Sequence, residues 1–137
     1  MPALRTYIVE DSALIRDSLV AALQELAAIE VVGTAESEGV AVRWLAQPGN
    51  LADLVIVDLF LQEGSGLGVL RALRDSATPR RARVVLSNYA TPDMRRRCLE
   101  LGADQVFDKS NDIDALIRYC AALAAGDAGP GARQPAH

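Results

Sequence analysis

Four short apolar runs each stop at polar residues able to take part in phosphate chemistry. Tyr7-Ile8-Val9 is followed by Glu10-Asp11, and Leu54-Val55-Ile56-Val57 by Asp58. Val84-Val85-Leu86 is followed by Ser87, and Val106-Phe107 by Asp108-Lys109. If those ends meet, the carboxylates of Glu10, Asp11 and Asp58 repel one another unless a cation neutralises them. Mg²⁺ suits that task, since it prefers oxygen ligands and keeps several waters. A carboxylate can also be a nucleophile, giving an aspartyl phosphate. Phosphoryl transfer of that kind calls for the metal, a cation for the remaining oxygens and further donors. Asp58, Mg²⁺, Lys109 and Ser87 can fill those roles. Lys109 stands out because it is the single lysine among 14 basic residues. A lysine ammonium is a flexible point charge that can follow a phosphoryl group, whereas arginine's rigid fork suits bidentate pairing.

Apolar runs of this length, separated by longer amphipathic stretches, read as buried parallel strands. Ligands of open parallel sheets sit beyond the carboxyl ends of the strands, near the point where strand order reverses. Strand and helix alternate five times, which predicts a flavodoxin-like, doubly wound α/β fold with five strands and five helices. A right-handed crossover at each connection gives the sheet order 2-1-3-4-5. Glu10, Asp11 and Asp58 then meet at the reversal, with Ser87 and Lys109 on successive neighbours.

Helical stripes follow Asp11-Ser12 (Leu14, Ile15, Leu19, Ala22, Leu23, Leu26) and Ser37 (Val40, Ala41, Trp44, Leu45). A second strand is expected over 29–34. Ser65 is a natural N-cap for a third helix carrying Leu67, Leu70 and Leu73, and Thr78-Pro79 ends that unit. Thr91 caps a fourth helix with Pro92 in its first turn and Gly102 at its close. Asp112 opens a fifth helix.

Size and composition fit one soluble domain over 1–125, with 126–137 read as a disordered tail rich in Gly, Pro and Ala. No apolar run reaches the ~18 residues of a membrane span. The residues before the first strand leave no room for a signal peptide, so a cytoplasmic location is expected. Cys98 and Cys120 fall among apolar residues and read as buried free thiols. The single histidine is His137, which excludes a zinc cluster or a Cys/His nucleophile pair. A net charge of -4 argues against nucleic acid as a partner. Arg80-Arg81-Arg83 and Arg95-Arg96-Arg97 read as solvated faces.

Across residues 4 to 125 the chain resembles a response-regulator receiver domain of two-component signalling, of the stand-alone type. Glu10-Asp11 matches the acidic pair, Asp58 the phospho-acceptor and Gly66 the glycine of the following loop. Ser87 matches the hydroxyl after the fourth strand, and Gly102-Ala103-Asp104 leads to the lysine, Lys109. The resemblance implies Mg²⁺ on Asp11, Asp58 and the backbone carbonyl of Phe60, with Glu10 able to act through water. It implies a histidine kinase or phosphotransfer protein as donor and a separate output protein. A homodimer through helix 4, strand 5 and helix 5 is the further possibility it raises. Departures are Gln62 in the loop after the acceptor, Asn88 after Ser87, and Ser110 after Lys109 where proline is usual. Val106 stands where a switching aromatic is common, and alternation turns Phe107 to the opposite face. Phe60 and Tyr89 flank the expected water path and predict a long-lived phosphorylated form.

The leading expectation is a phosphorylation-activated switch with no turnover of external substrate beyond loss of its own phosphoryl group. A pseudo-receiver that only binds partners is the alternative. A third reading is an unrelated phosphohydrolase or a flavodoxin-like protein, although Glu10-Asp11 is electrostatically wrong for a flavin phosphate loop.

Overall fold

The computed structural model describes residues 3–76, 81–88 and 90–126. The expected tail beyond 126, the Thr78-Pro79 break, Arg80 and Tyr89 lie outside the described residues.

Four of the five helices begin where a small hydroxyl accepts from a first-turn amide. Ser12 Oγ accepts from Ile15 N ahead of α1 (Ala13–Leu26), and Ser37 from Val40 N ahead of α2 (Glu38–Ala46). Ser65 accepts from Leu67 N before α3 (Gly66–Asp75), and Thr91 from Met94 N before α4 (Pro92–Glu100). Gly102, at φ +102°, takes the left-handed turn that leaves α4. Asp112 precedes α5 (Ile113–Ala124) without capping it; its carboxylate turns back to accept from Asp108 N at 3.0 Å.

Between the helices run β1 (Leu4–Val9), β2 (Ile29–Ala35), β3 (Leu54–Val57), β4 (Ala82–Ser87) and β5 (Gln105–Asp108). They form one parallel sheet in the order β2-β1-β3-β4-β5, as the alternation predicts. Every residue of β3 and β4 is buried, which explains their unbroken apolar runs, whereas edge strand β2 exposes Glu30.

Alternation splits the core between the two faces. Ile8, Ile56, Val84, Leu86 and Phe107 pack with Leu19 and Leu23 of α1 and Leu116 and Cys120 of α5. Tyr7, Val9, Val55 and Val57 pack with Ala41 and Leu45 of α2 and Val69 and Leu73 of α3. There the Tyr7 ring stacks on Trp44, centroids 4.1 Å apart and 14° from parallel, under Gly33, where a side chain would strike the ring. The Tyr7 hydroxyl is buried with no hydrogen-bond partner among the described residues, and burial pushes its pKa up to about 12. Cys98 and Cys120 are buried free thiols, as expected.

Two expectations fail. The α1 stripe is too wide: Leu19 and Leu23 are buried, but Leu14 is 78% exposed and Leu26 61% exposed. Arg81 and Arg83 are buried instead of solvated. Arg81 donates to Leu45 O and Asn50 O, both at 3.3 Å; Arg83 donates to Arg81 O at 3.1 Å and Leu73 O at 3.2 Å. Their guanidinium groups satisfy carbonyls at and beyond the carboxyl ends of α2 and α3, where orphan acceptors and the helix dipole favour cations.

Candidate functional site

Sheet pairing carries the acidic residues to one level. Val9 lies opposite Val57, so Glu10 and Asp58 leave neighbouring strands side by side. Asp58 N donates to Val9 O at 3.0 Å, and Glu10 N donates to Ala35 O at 2.9 Å, fixing both backbones. Asp11 starts the turn into α1. One carboxylate oxygen from each of Glu10, Asp11 and Asp58 falls within a set whose members lie within 4.8 Å of one another.

Lys109 leaves β5 and reaches across this group. Its Nζ lies 2.7 Å from Glu10 Oε1 and 3.0 Å from Asp58 Oδ2. The turn that presents it is tied at three points: Lys109 N donates to Ser87 O, Ser110 N to Asp108 Oδ1, and Asp108 N to Asp112 Oδ2. Ser87, fully buried, ends β4 opposite Asp108 on the same rim. The backbone N of Phe60 sits 3.4 Å from Asp58 Oδ1, which holds the start of the following loop beside the carboxylate.

The electrostatics are uneven. Burial, the largest influence, pushes the Asp58 carboxyl above the ordinary aspartate value; Lys109 pulls it partly back, and Glu10 pushes it further up. Burial disfavours the Lys109 charge, but hydrogen bonds to Glu10 and Asp58 outweigh it and raise the lysine above its ordinary value. One ammonium among three carboxylates leaves the rim with surplus negative charge. The donors are all hard oxygens, the set a small divalent cation prefers.

The remaining bonds fix the other two carboxylates of the cluster. Ser12 N donates to Glu10 Oε2 at 3.0 Å, and Gln62 N to Asp11 Oδ2 at 2.8 Å. Sequence reasoning missed the second contact, because a backbone amide gives no sign in the sequence of what it will bind.

On the far side of the site, Val106 and Phe107 face opposite ways as alternation requires. Val106 packs with Cys98 and Ala103, while Phe107 lies 5.8 Å from the Tyr119 ring on the other face. Arg95, read earlier as solvated, bridges α4 to β5: it donates to Ala90 O at 3.2 Å and Val106 O at 2.9 Å. Its guanidinium also lies 4.0 Å from Asp112.

Comparison with known proteins agrees with this arrangement. The sequence model of the response regulator receiver domain matches residues 6–121. A probable transcriptional regulatory protein of Picosynechococcus is 36% identical over 124 residues, spanning 87% of this chain and 48% of that protein. A protein-glutamate methylesterase/protein-glutamine glutaminase of Myxococcus xanthus is 34% identical over 106 residues, spanning 77% of this chain and 30% of its own. The chain thus spans about half the length, or less, of these relatives. Among solved structures, the receiver domain of the putative response regulator NarL from Mycobacterium tuberculosis superposes with a TM-score of 0.80 at 22% identity, over 92% of this chain and 99% of its own. No helix among the described residues is long and apolar enough to cross a membrane.

Proposed function

This chain belongs to the response regulator receiver domain family, and from that premise we propose that it is a phosphorylation-activated switch with Asp58 as acceptor. The observation that carries the reading is Lys109 held within 3.0 Å of Asp58 inside the acidic cluster. A buried strand-end carboxylate with an ammonium at hydrogen-bond distance is a nucleophile with its charge partner already in place.

In the step proposed, an Asp58 oxygen forms a bond to phosphorus while the donor's bond to phosphorus breaks, and the leaving group departs with that electron pair. Lys109 shifts from the carboxylates to a phosphoryl oxygen, and Ser87 supplies a hydroxyl from the neighbouring strand end. Asp11, Asp58 and the Phe60 carbonyl would hold Mg²⁺, with Glu10 able to act through water. When bound, the ion neutralises the developing charge on the transferring group.

The donor is a histidine kinase or phosphotransfer protein. An apolar groove lined by Leu14, Ile15, Leu19, Leu86 and Ile113 opens beside Lys109, and the exposed α1 leucine gives a protein donor a surface on which to land. Output leaves through α4, β5 and α5 to a separate protein or a second copy, since Arg95 already couples those elements.

Incubation with Mg²⁺ and a small acyl phosphate, followed by intact mass measurement, tests the reading. The expected result is a gain of one phosphoryl group. No gain makes the chain a pseudo-receiver, and donor consumed without retention makes it a hydrolase. With a protein donor, Leu14→Asp slows transfer while leaving the small-donor rate unchanged.

A further inference from the structure

The loop from Leu59 to Ser65 carries the Phe60 carbonyl and the Gln62 amide that holds Asp11, so the metal subsite is only as well formed as this loop. Phe60, Gln62, Glu63 and Gly64 are exposed, and Leu59 is the one fully buried residue of the segment. Little apolar burial therefore holds it in place.

Glu38, the first residue of α2, grips the loop from outside. Its Oε1 accepts from Ser65 N at 2.9 Å, and its own backbone N donates to Glu63 O at 3.1 Å. Ser65 in turn pairs with Phe60 across an isolated antiparallel bridge, and Gly66 N donates to Leu59 O at 3.0 Å. A continuous path of bonds thus runs from the Glu38 carboxylate through Ser65 to the backbone at Phe60.

The fit around that carboxylate is shaped for it. A side chain at Gly68 would collide with the Glu38 carboxylate, and one at Gly64 with the Glu38 Cβ. Gly64 also takes φ +87°, a conformation that disfavours other residues. The carboxylate faces the first turn of α3, where the helix dipole favours an anion.

We propose that Glu38 is a positioning residue for phosphorylation: its bond to Ser65 fixes the loop so that the Phe60 carbonyl and Asp11 are ready for Mg²⁺. The inference rests on the reading that those two groups hold the metal. It differs from a purely stabilising contact because the residue Glu38 holds is the one paired with Phe60.

Three substitutions in the full chain separate reach from charge. Glu38→Asp keeps the charge but is one methylene too short to reach Ser65 N; Glu38→Gln keeps the reach without the charge; Glu38→Ala keeps neither. Mg²⁺ affinity is measured by calorimetry, and amide exchange at residues 60–65 without metal. Supporting-shell substitutions of this kind cost about tenfold in metal affinity. The expected result is about tenfold weaker Mg²⁺ binding and faster Ser65 exchange in Glu38→Asp and Glu38→Ala, with Glu38→Gln close to the parent. Phosphorylation of the weakened variants is expected to need about tenfold more Mg²⁺ but to reach the parent rate at saturation.

Weakening in Glu38→Gln with Glu38→Asp unaffected would show a long-range charge effect and overturn positioning. Parent-like Mg²⁺ binding in all three overturns it as well, even if Asp58 is phosphorylated normally. The expected binding pattern without any phosphoryl gain upholds the Glu38 assignment and removes the switch. A parent protein that binds no Mg²⁺ removes the metal reading and this proposal together.

Discussion

Strand β3 is bracketed by two aspartates with opposite fates. Asp53, just before it, meets Arg5 in a bidentate pair, Nε to Oδ2 at 3.1 Å and Nη2 to Oδ1 at 3.0 Å, and also accepts from Arg5 N. That hydrogen bonding, with burial opposing it, holds the Asp53 carboxyl below its ordinary value. Asp58, just after the strand, is more deeply buried, shares one lysine with Glu10, and is held above its ordinary value. At the amino end of the sheet Asp53 and Arg5 are matched one to one, and the Asp104 carboxylate is held by the backbone N of Arg83. At the carboxyl end charges are left in surplus. The fold is tied down at one end and kept electrostatically unfinished at the other, where the proposed chemistry needs a cation and a phosphoryl group to complete it.

The sharpest way to break this contrast is to neutralise each aspartate in turn. Asp58→Asn is expected to abolish the gain of a phosphoryl group by intact mass, and Asp53→Asn to leave it unchanged. Full-rate phosphorylation of Asp58→Asn would move the acceptor to another carboxylate. Next in size is the anchored end: Arg83→Leu removes the buried guanidinium that donates to the Arg81 and Leu73 carbonyls and is expected to cost about 3 kcal/mol in urea unfolding. Phosphorylation of the folded fraction should persist.

A smaller effect comes from metal. Mg²⁺ at about ten times its Kd is expected to stabilise the parent by about 1.4 kcal/mol, through mass action on the native state. Thermal melting checks this, and no shift in Asp58→Asn would place the ion at Asp58. The smallest difference is one of sign, measured in chelator. Because native Asp58 has a raised pKa, its contribution is full below the ordinary aspartate range and fades as pH rises through the native value. At neutral pH its charge is a cost, so Asp58→Asn should stabilise by about 1 kcal/mol. Asp53 behaves oppositely: its lowered pKa contributes above the ordinary value and is lost as pH falls through the native one. Asp53→Asn should therefore destabilise at pH 7 by at most about 1 kcal/mol, since the pair is partly exposed. That loss should vanish in acid.

What the sequence made legible was whatever depends on local pattern. Unbroken apolar runs marked β3 and β4 because both faces of those strands are covered, and the hydroxyls of Ser37, Ser65 and Thr91 marked three helix starts. The rim residues were readable because a strand end fixes where the next side chain goes. Arg81 and Arg83 were not readable, since their partners lie 36 and 10 residues away at helix ends whose need for a cation appears only after folding. Leu14 and Leu26 misled because apolar spacing shows that a stripe exists but not how wide the neighbouring surface is. Glu38 gave no signal at all: its role depends on the empty space left by Gly64 and Gly68, and glycines look alike whether they turn a chain or make room.

The stacking of Trp44 on Tyr7 has an optical consequence. Trp44 is the single tryptophan of the chain, and its indole rests over β1 near one edge of the sheet. Strand β5 stands three strands away, about 14 Å at ~4.8 Å per strand. Emission from Trp44 will therefore follow unfolding, and loosening of α2, with high contrast. A rearrangement confined to α4 and β5 will leave that emission dark to the event, so a spectroscopist following the switch needs a second chromophore on the Arg95 side.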